Sequence, residues 1–254
     1  MATLLTTEEL PHDTATMVVE KLIPRNVGVL IRLPGSGDIC TYMASAQYDA
    51  TSAASIMAAE RQGRKQAQIY LNILRKLPGH EKMTLVATGP NFGTRESRHI
   101  NSRYMLSEED ILEQENFDDT IAIGGWYMDW HDSSQPDWPI HFRLSPEGSF
   151  NIPLRCLHSI DTANLYCAGR CADGDGTAGS AIRVMDTALA TGQAAGVAAG
   201  LSAAQDGVAA EVDVRAVLLM HGAIIDRSGL SMAPVKTKDN GQNLSHTEAL
   251  NGHA

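Results

Sequence analysis

A glycine-rich turn between a short apolar segment and a long helix of small residues constrains this fold more than any other feature. Residues 163–168 (ANLYCA) predict a strand, residues 169–179 the turn and residues 180–205 the helix. The start of such a helix offers free N–H groups and the positive end of the helix dipole to an anionic group. The segment predicts an α/β protein with a ligand site at the turn. A flexible turn without a ligand is the alternative.

Three glycines of the turn, Gly174, Gly176 and Gly179, match the G-x-G-x-x-G spacing of dinucleotide-binding proteins. That motif also needs an acidic residue after a second strand about 20 residues later, a position that falls inside the helix here. Asp173 and Asp175 would place negative charge beside a phosphate. Independent nucleotide binding at residues 174–179 is therefore the weakest of the functional hypotheses.

The helix carries a ridge of glycines at every fourth position: Gly192, Gly196 and Gly200. Each glycine costs a helix interior roughly 1 kcal/mol relative to alanine, so the ridge indicates close packing. Burial against a sheet is the interpretation. A membrane helix dimer is the alternative, which Arg183 and Asp186 oppose.

The rest of the chain has weaker local signals. Ser107 is predicted to cap a helix, with Asp110 in the capping-box position. Residues 227–254 are polar and predict a disordered tail. The other predicted elements, in chain order, are a short helix within 1–25, a strand at 26–33, a returning strand at 39–43, a helix at 51–77, a strand at 82–88 and a helix running into a strand over 212–225.

Charge and cysteine content exclude several classes of protein. Lys and Arg number 20 against 30 Asp and Glu, which gives a net charge of −10 and makes a nucleic-acid or anionic-membrane partner unexpected. No segment is apolar enough to predict a membrane span, and the acidic N-terminus does not resemble a signal peptide. The four cysteines suit the reduced cytoplasm, and the three-residue spacing of Cys167 and Cys171 does not predict a metal site.

Seven motifs occur in an order that is more specific than any one of them: 93–98 (GTRESR), 104–110 (YMLSEED), 117–119 (FDD), 129–132 (DWHD), 152–157 (IPLRCL), 164–171 (NLYCAGRC) and 183–196 (RVM to GQAAG). Over residues 45–226 the chain resembles the C-terminal half of a family of FAD-dependent oxidoreductases with the glutathione-reductase-type flavin fold. These are distant relatives of the fumarate reductase flavoproteins.

The resemblance implies an α/β fold in which a substrate-side α+β domain is joined to the closing strand and helix of a flavin-binding Rossmann-like domain. The predicted division is 1–44 for an N-terminal segment with a hairpin of the substrate domain, 45–160 for the substrate or cap domain, 161–226 for the C-terminal part of the FAD-binding domain and 227–254 for the tail.

The resemblance implies FAD as cofactor, with the start of the last helix facing the flavin end. The FAD contacts that it implies, together with the glycines of the turn, are Gly169, Arg170, Cys171, Gly174, Gly176, Gly179, Ser180, Ala181, Ile182, Arg183 and Val184.

Three residues are predicted to act on a small organic substrate that gives a hydride to FAD. His131 is the acid/base candidate, because histidine exchanges protons near neutral pH. A surface-loop histidine is the alternative. Arg95 and Arg98 are predicted to orient an anionic substrate. An ordinary ion pair with Glu96 or Asp110 is the alternative for either arginine.

Two departures from the family pattern shape the functional hypothesis. The turn at residues 173–179 lacks the histidine that family members often carry there, and residues 1–44 hold no ADP-binding strand, turn and helix. We therefore expect a split enzyme, in which a second subunit carries the N-terminal FAD half that binds ADP. A non-catalytic scaffold or regulatory subunit derived from a flavoprotein is the alternative.

Overall fold

The computed structural model describes residues 2–5, 28–131, 140–143, 148–205 and 207–228. They fall into two compact units. The chain passes from the first unit to the second between Thr94 and Arg95, and His131 and Ile140 belong to the first. Of the helix predicted within 1–25, only residues 2–5 are described, and these form a strand. Residues 229–254 of the predicted tail lie outside the described residues.

The first unit contains an antiparallel sheet of three strands: β1 (Ala2–Leu5), β2 (Gly28–Arg32) and β3 (Ile39–Thr41). Strands β2 and β3 form the predicted hairpin, with Leu30 opposite Thr41. The N–H of Leu33 donates to the carbonyl of Asp38 at 2.8 Å and closes the turn. The strand and hairpin predictions are confirmed.

Helix α1 (Ala53–Leu74) confirms the helix predicted at 51–77. Its first turn is capped by Ser52, whose hydroxyl accepts a hydrogen bond from the N–H of Ser55 at 3.3 Å. One face of the helix is apolar and forms the small core of the first unit with Met43. The core residues that α1 supplies are Tyr70, Ile73 and Leu74.

The strand predicted at residues 82–88 is wrong. The segment is irregular, and Val86 in its middle is 79% exposed. Arginine side chains bind it from α1: Arg75 donates to the carbonyl of Met83 at 2.7 Å, and Arg64 donates to the hydroxyl of Thr88. An apolar segment forms a strand only where a neighbouring strand completes its hydrogen bonds, and no described strand pairs with residues 82–88.

Two further pairs of strands follow. β4 (Thr120–Gly124) pairs antiparallel with β7 (Phe150–Pro153), and β5 (Met128–His131) pairs with β6 (Ile140–Arg143). All of β7 is buried, and β4 is nearly so. Both strands lie in the main hydrophobic core, which belongs to the second unit.

The helices of the second unit are α2 (Glu108–Leu112), α3 (Gly176–Ile182), α4 (Met185–Ala204) and α5 (Glu211–Met220). The helix predicted at 180–205 is therefore two helices, because Val184 between them is extended (φ −66°, ψ 154°). α5 confirms the helix predicted from residue 212. The strand expected after it is absent from residues 221–228, where the chain turns at Gly222 with φ +75°.

The strand predicted at residues 163–168 reduces to one isolated bridge between Tyr166 and His158. Side-chain contacts hold this segment instead: the two rings stack with centroids 4.3 Å apart, and the Tyr166 and Ser202 hydroxyls lie 3.2 Å apart. The mixture of helix and strand nevertheless confirms the α/β class.

The predicted capping box is complete. The Ser107 hydroxyl accepts from the N–H of Asp110 at 3.2 Å, and the Asp110 carboxylate accepts from the N–H of Ser107 at 2.8 Å. We expect Ser107→Ala to lower the free energy of unfolding by about 1 kcal/mol, measured by urea unfolding, because an N–H group loses its acceptor. The exposed Ser97→Ala is the control. Equal effects of the two would show that the cap contributes nothing.

None of the helices in the described ranges is long and apolar enough to cross a membrane. The same ranges contain no group of three His, Cys, Asp or Glu side chains arranged to hold a metal ion.

Candidate functional site

The predicted turn is fixed on two sides by backbone hydrogen bonds within the second unit. The N–H of Asp175 donates to the carbonyl of Leu106 at 2.9 Å, and the N–H of Asp173 donates to the carbonyl of Cys156 at 3.0 Å. Both aspartates lie within the glycine-rich stretch. Hydrogen bonds to the core therefore fix the backbone of the turn, and the choice between a ligand site and a turn without a ligand stays a prediction.

Gly169 allows the turn to approach α4. Its φ of +60° is a left-handed conformation, and a Cβ there would lie 3.2 Å from the Cβ of Ala188. Its N–H donates to the hydroxyl of Thr191 at 3.2 Å. Arg170 and Cys171, which follow it, are exposed beside α4. Their predicted FAD contacts stay predictions.

Asp175 occupies the starts of two helices at once. One carboxylate oxygen, Oδ1, accepts from the N–H groups of Thr177 and Ala178 at 2.9 and 2.7 Å, and so caps α3. The other, Oδ2, accepts from the N–H of Glu108, the first residue of α2, at 2.7 Å. A protein carboxylate thus fills the position that a phosphate would need. This arrangement argues against phosphate binding at residues 174–179.

Two glycines of the motif have a packing reason instead. A Cβ on Gly174 would lie 3.1 Å from the backbone nitrogen of Gly179, and a Cβ on Gly179 would lie 2.7 Å from Oε1 of Glu96. A Cβ on Gly176 would meet the indole of Trp130 at 3.5 Å, an ordinary contact. The G-x-G-x-x-G match therefore reflects close packing at two of its three glycines.

Three of the predicted FAD contacts lie inside the protein. Ser180, Ala181 and Ile182 are each 1% exposed or less, and the Ser180 hydroxyl donates to the carbonyl of Thr177 at 2.6 Å. Their side chains offer no surface to a cofactor, because they face the core. Val184 is only half-buried.

A charged cluster lies where α3 ends. Arg183 donates from Nη2 to the carbonyl of Asp129 at 3.0 Å and lies 4.0 Å from Oδ2 of the same residue. Arg95 places Nη1 3.8 Å from that Oδ2. Burial, and then the nearby Arg95, lower the pKa of Arg183. Because its Nη1 lies beside Asp129, the ion pair that Arg95 makes among the described residues is with Asp129 and not with Glu96 or Asp110.

Two kinds of donor at the start of α4 have no acceptor in the described part of the chain. The Nε of Arg183 is buried there without a hydrogen-bond partner. Val184 gives the first turn of α4 no side-chain cap, and Met185 is 83% exposed. The unused backbone N–H donors of that turn fit the carbonyl oxygens of a flavin, the cofactor that the resemblance implies, and the Nε of Arg183 stays available to another acceptor. The residues present therefore fit FAD.

Glu96 and His99 form a pair that the sequence did not indicate as functional. The Nε2 of His99 lies 3.6 Å from Oε1 of Glu96. Burial raises the pKa of Glu96, although the positive charges of His99 and Arg183 oppose the shift. The spacing of the two residues, three positions apart, was the available signal. Asp129 was likewise missed as a partner of the arginines.

The raised pKa of Glu96 predicts a pH dependence. The folded protein holds this proton more tightly than the unfolded chain, so the stability that Glu96 contributes is lost as pH rises above its ordinary pKa of 4.5. We expect Glu96→Gln to gain in free energy of unfolding relative to wild type between about pH 4 and pH 7. Glu109→Gln, at an exposed position, is the control. A difference that stays flat with pH would contradict the shift.

The other predicted substrate-side residues are less informative. His131 ends β5, but its side chain lies outside the described ones. Arg98 is exposed, and the described residues give it no ion pair. Trp126 is 40% exposed and stacks on Tyr127 with centroids 4.6 Å apart. Trp138 lies outside the described residues.

Fold and site together define an α/β protein with unused hydrogen-bond donors at the start of a small-residue helix. The model of the family described as FAD dependent oxidoreductase matches residues 14–218. The chain belongs to this family, its cofactor is FAD and its role is flavin-linked redox chemistry. Comparisons with curated proteins and with solved structures gave no match.

Proposed function

We propose that this chain supplies the substrate side and the flavin-end helix of a split FAD-dependent oxidoreductase. A second subunit supplies the ADP-binding half of the FAD site. The reaction is hydride transfer from a small organic substrate, and the hydride acceptor when bound is FAD. The uncovered outer face of α4 is the observation that carries this proposal.

α4 is packed on one side only in the described structure. Its inner face is buried, whereas Met185 and Leu189 on the outer face are 83% and 74% exposed. The three glycines of the ridge continue that face, and a Cβ on any of them would meet nothing within 4 Å. The burial predicted for this ridge is thus not provided by the described residues. Apolar surface of this kind is typical of an interface.

The described strands also favour an ADP-binding element on the second subunit. The pairings β1–β2, β2–β3 and β4–β7 are all antiparallel. A dinucleotide-binding half is built on parallel strands. Among the described residues, the parallel pairing is the isolated bridge between Leu106 and Gly174. The proposal therefore places the parallel sheet on the second subunit.

The substrate-side roles follow from the charges. Arg95 is 46% exposed at its side chain and orients an anionic group of the substrate, while Asp129 holds it beside Arg183. Arg98 is the second candidate for that task. His131 is the first acid/base candidate. The location that we propose is the cytoplasm, which agrees with the free cysteines Cys40, Cys156, Cys167 and Cys171.

The experiment is co-purification of the tagged chain with its partner, followed by measurement of bound flavin. We expect Gly196→Leu to abolish both, because the larger side chain keeps the partner away from the ridge. The same change improves helix propensity by about 0.8 kcal/mol, so unfolding would not explain the loss. Ala216→Leu, at an exposed position of α5, is the matched control.

Three results would overturn the proposal. Stable, monomeric chain that binds FAD by itself would remove the need for a second subunit. Co-purification that is unchanged in Gly196→Leu would remove the ridge from the interface. Partners found without flavin in any complex would favour the scaffold alternative.

A further inference from the structure

The pair formed by Glu96 and His99 lies against the glycine-rich turn. The two side chains are 31% and 22% exposed, and a Cβ on Gly179 would lie 2.7 Å from Oε1 of Glu96 and 3.5 Å from Cε1 of His99. The absence of a side chain at Gly179 thus makes the room that the pair fills. The turn at residues 173–179 contains no histidine, but His99, which is distant in sequence, packs against it.

Glu96 differs from the neighbouring aspartates in how it is bound. The Asp173 carboxylate accepts from the N–H and hydroxyl of Ser102 at 3.1 and 2.7 Å, and the Asp110 carboxylate accepts from the hydroxyl of Tyr104 at 2.7 Å. Such bonds tie a carboxylate into the fold. The described residues give Glu96 no hydrogen bond of this kind, so its carboxylate is available to orient the imidazole.

Two side chains, those of Glu96 and His99, meet at Gly179. The charged groups that face Glu96 are His99, Arg183 and Asp175, and burial raises the pKa of Glu96. Arg183 adds a buried Nε donor without a partner in the described residues. An acid/base, the carboxylate that orients it and a fixed donor are the parts that alcohol oxidation needs.

We propose that His99, oriented by Glu96, replaces His131 as the base and takes up the proton released when an alcohol substrate is oxidised, and that the Nε of Arg183 donates to the substrate oxygen. This inference rests on the proposed function and names its substrate class. An alcohol is favoured over an amine because the guanidinium of Arg183 would repel an ammonium ion. Since Nε2 of His99 faces Glu96, Nδ1 is the atom that accepts the proton.

The step balances in electrons and protons. The carbon–hydrogen bond breaks with its electron pair, which leaves as a hydride to FAD. The oxygen–hydrogen bond breaks and its proton passes to Nδ1 of His99, so that a carbonyl forms. The alcohol is oxidised, the cofactor is reduced, and the imidazolium that results is stabilised by Glu96.

The first test needs no turnover and uses the co-purified complex. Diethyl pyrocarbonate modifies neutral imidazole, and peptide mass spectrometry locates each modified histidine. We expect bound flavin to protect His99 but not the exposed His221, which serves as the internal standard. We expect bound flavin to protect His99 less well in Glu96→Gln, because the ring loses the carboxylate that orients it. Glu109→Gln should leave the protection unchanged.

The second test follows flavin reduction by a panel of small primary and secondary alcohols. We expect His99→Gln to retain flavin and to slow reduction about 100-fold or more near neutral pH. The loss should shrink at alkaline pH, where hydroxide can replace the base. A purely structural role would not produce that pH profile.

Each failure has a separate meaning. Absence of flavin from the complex would remove the proposed function together with this inference. With flavin present, other results would overturn this inference alone. One is that flavin does not protect His99, and another is that amines, or no member of the panel, reduce it in place of alcohols. The last is flavin reduction as fast in His99→Gln as in wild type.

Discussion

Replacing Gly124 by alanine is expected to lower the free energy of unfolding by about 2 to 3 kcal/mol. A Cβ at this end of β4 would lie 2.2 to 2.7 Å from three ring carbons of Phe150. That ring is 1% exposed in the main core and has no open side to move into. Urea unfolding of the purified protein measures the change.

The neighbouring glycine provides a matched control for this prediction. Gly125→Ala meets nothing within 4 Å, so its effect should stay within about 0.5 kcal/mol. Adding Phe150→Leu to Gly124→Ala should recover part of the loss, because the clash is removed and the two effects are coupled. Wild-type stability of Gly124→Ala would show that the ring has room after all.

Asp175→Ala carries the other large expected effect, a loss of about 2 to 3 kcal/mol in the free energy of unfolding. The carboxylate accepts hydrogen bonds from three backbone N–H groups, two in α3 and one in α2. Alanine leaves all three without an acceptor. Thermal unfolding monitored by circular dichroism measures the change.

An asparagine variant separates the two roles of Asp175, which are to cap α3 and to accept a hydrogen bond from the first N–H of α2. Asp175→Asn keeps one oxygen that can cap α3, so we expect it to lose less than half as much as alanine. Asp186→Ala, in the exposed first turn of α4, changes the charge equally and should have little effect. Equal losses for the alanine and asparagine variants would show that the negative charge, and not the pattern of acceptors, matters.

Local signals in the sequence predicted the parts of the fold that depend on residues close together in the sequence. Ser107 and Asp110 lie three positions apart, and the hairpin needs only its turn, so both were predictable. Residues 82–88 and 163–168 failed because a strand needs a partner edge, which sequence pattern does not supply. The break at Val184 was missed because Arg183 and Met185 on its two sides are good helix formers and fit a continuous helix.

The sequence directed attention to the turn and the start of the following helix, and Gly169 and Arg183 lie there. Their contacts with FAD stay predictions. The roles of Gly179 and Asp175 depend on Glu96 and Glu108, which are distant in sequence. The motif spacing at residues 174–179 was a weak match to a nucleotide-binding turn, and packing explains two of its three glycines better.

The hydrogen bonds that fix the turn also set an order for its assembly. Ser102 is 71 positions from Asp173, and Glu108 is 67 positions from Asp175. Contacts of such separation form late, after the loop between them has closed. During synthesis Ser102 and Glu108 leave the ribosome before the turn that binds them. The segment with Glu96 and His99, which precedes them, therefore stays exposed to solvent until the turn has also left the ribosome. A pause in translation between the two would lengthen that exposure.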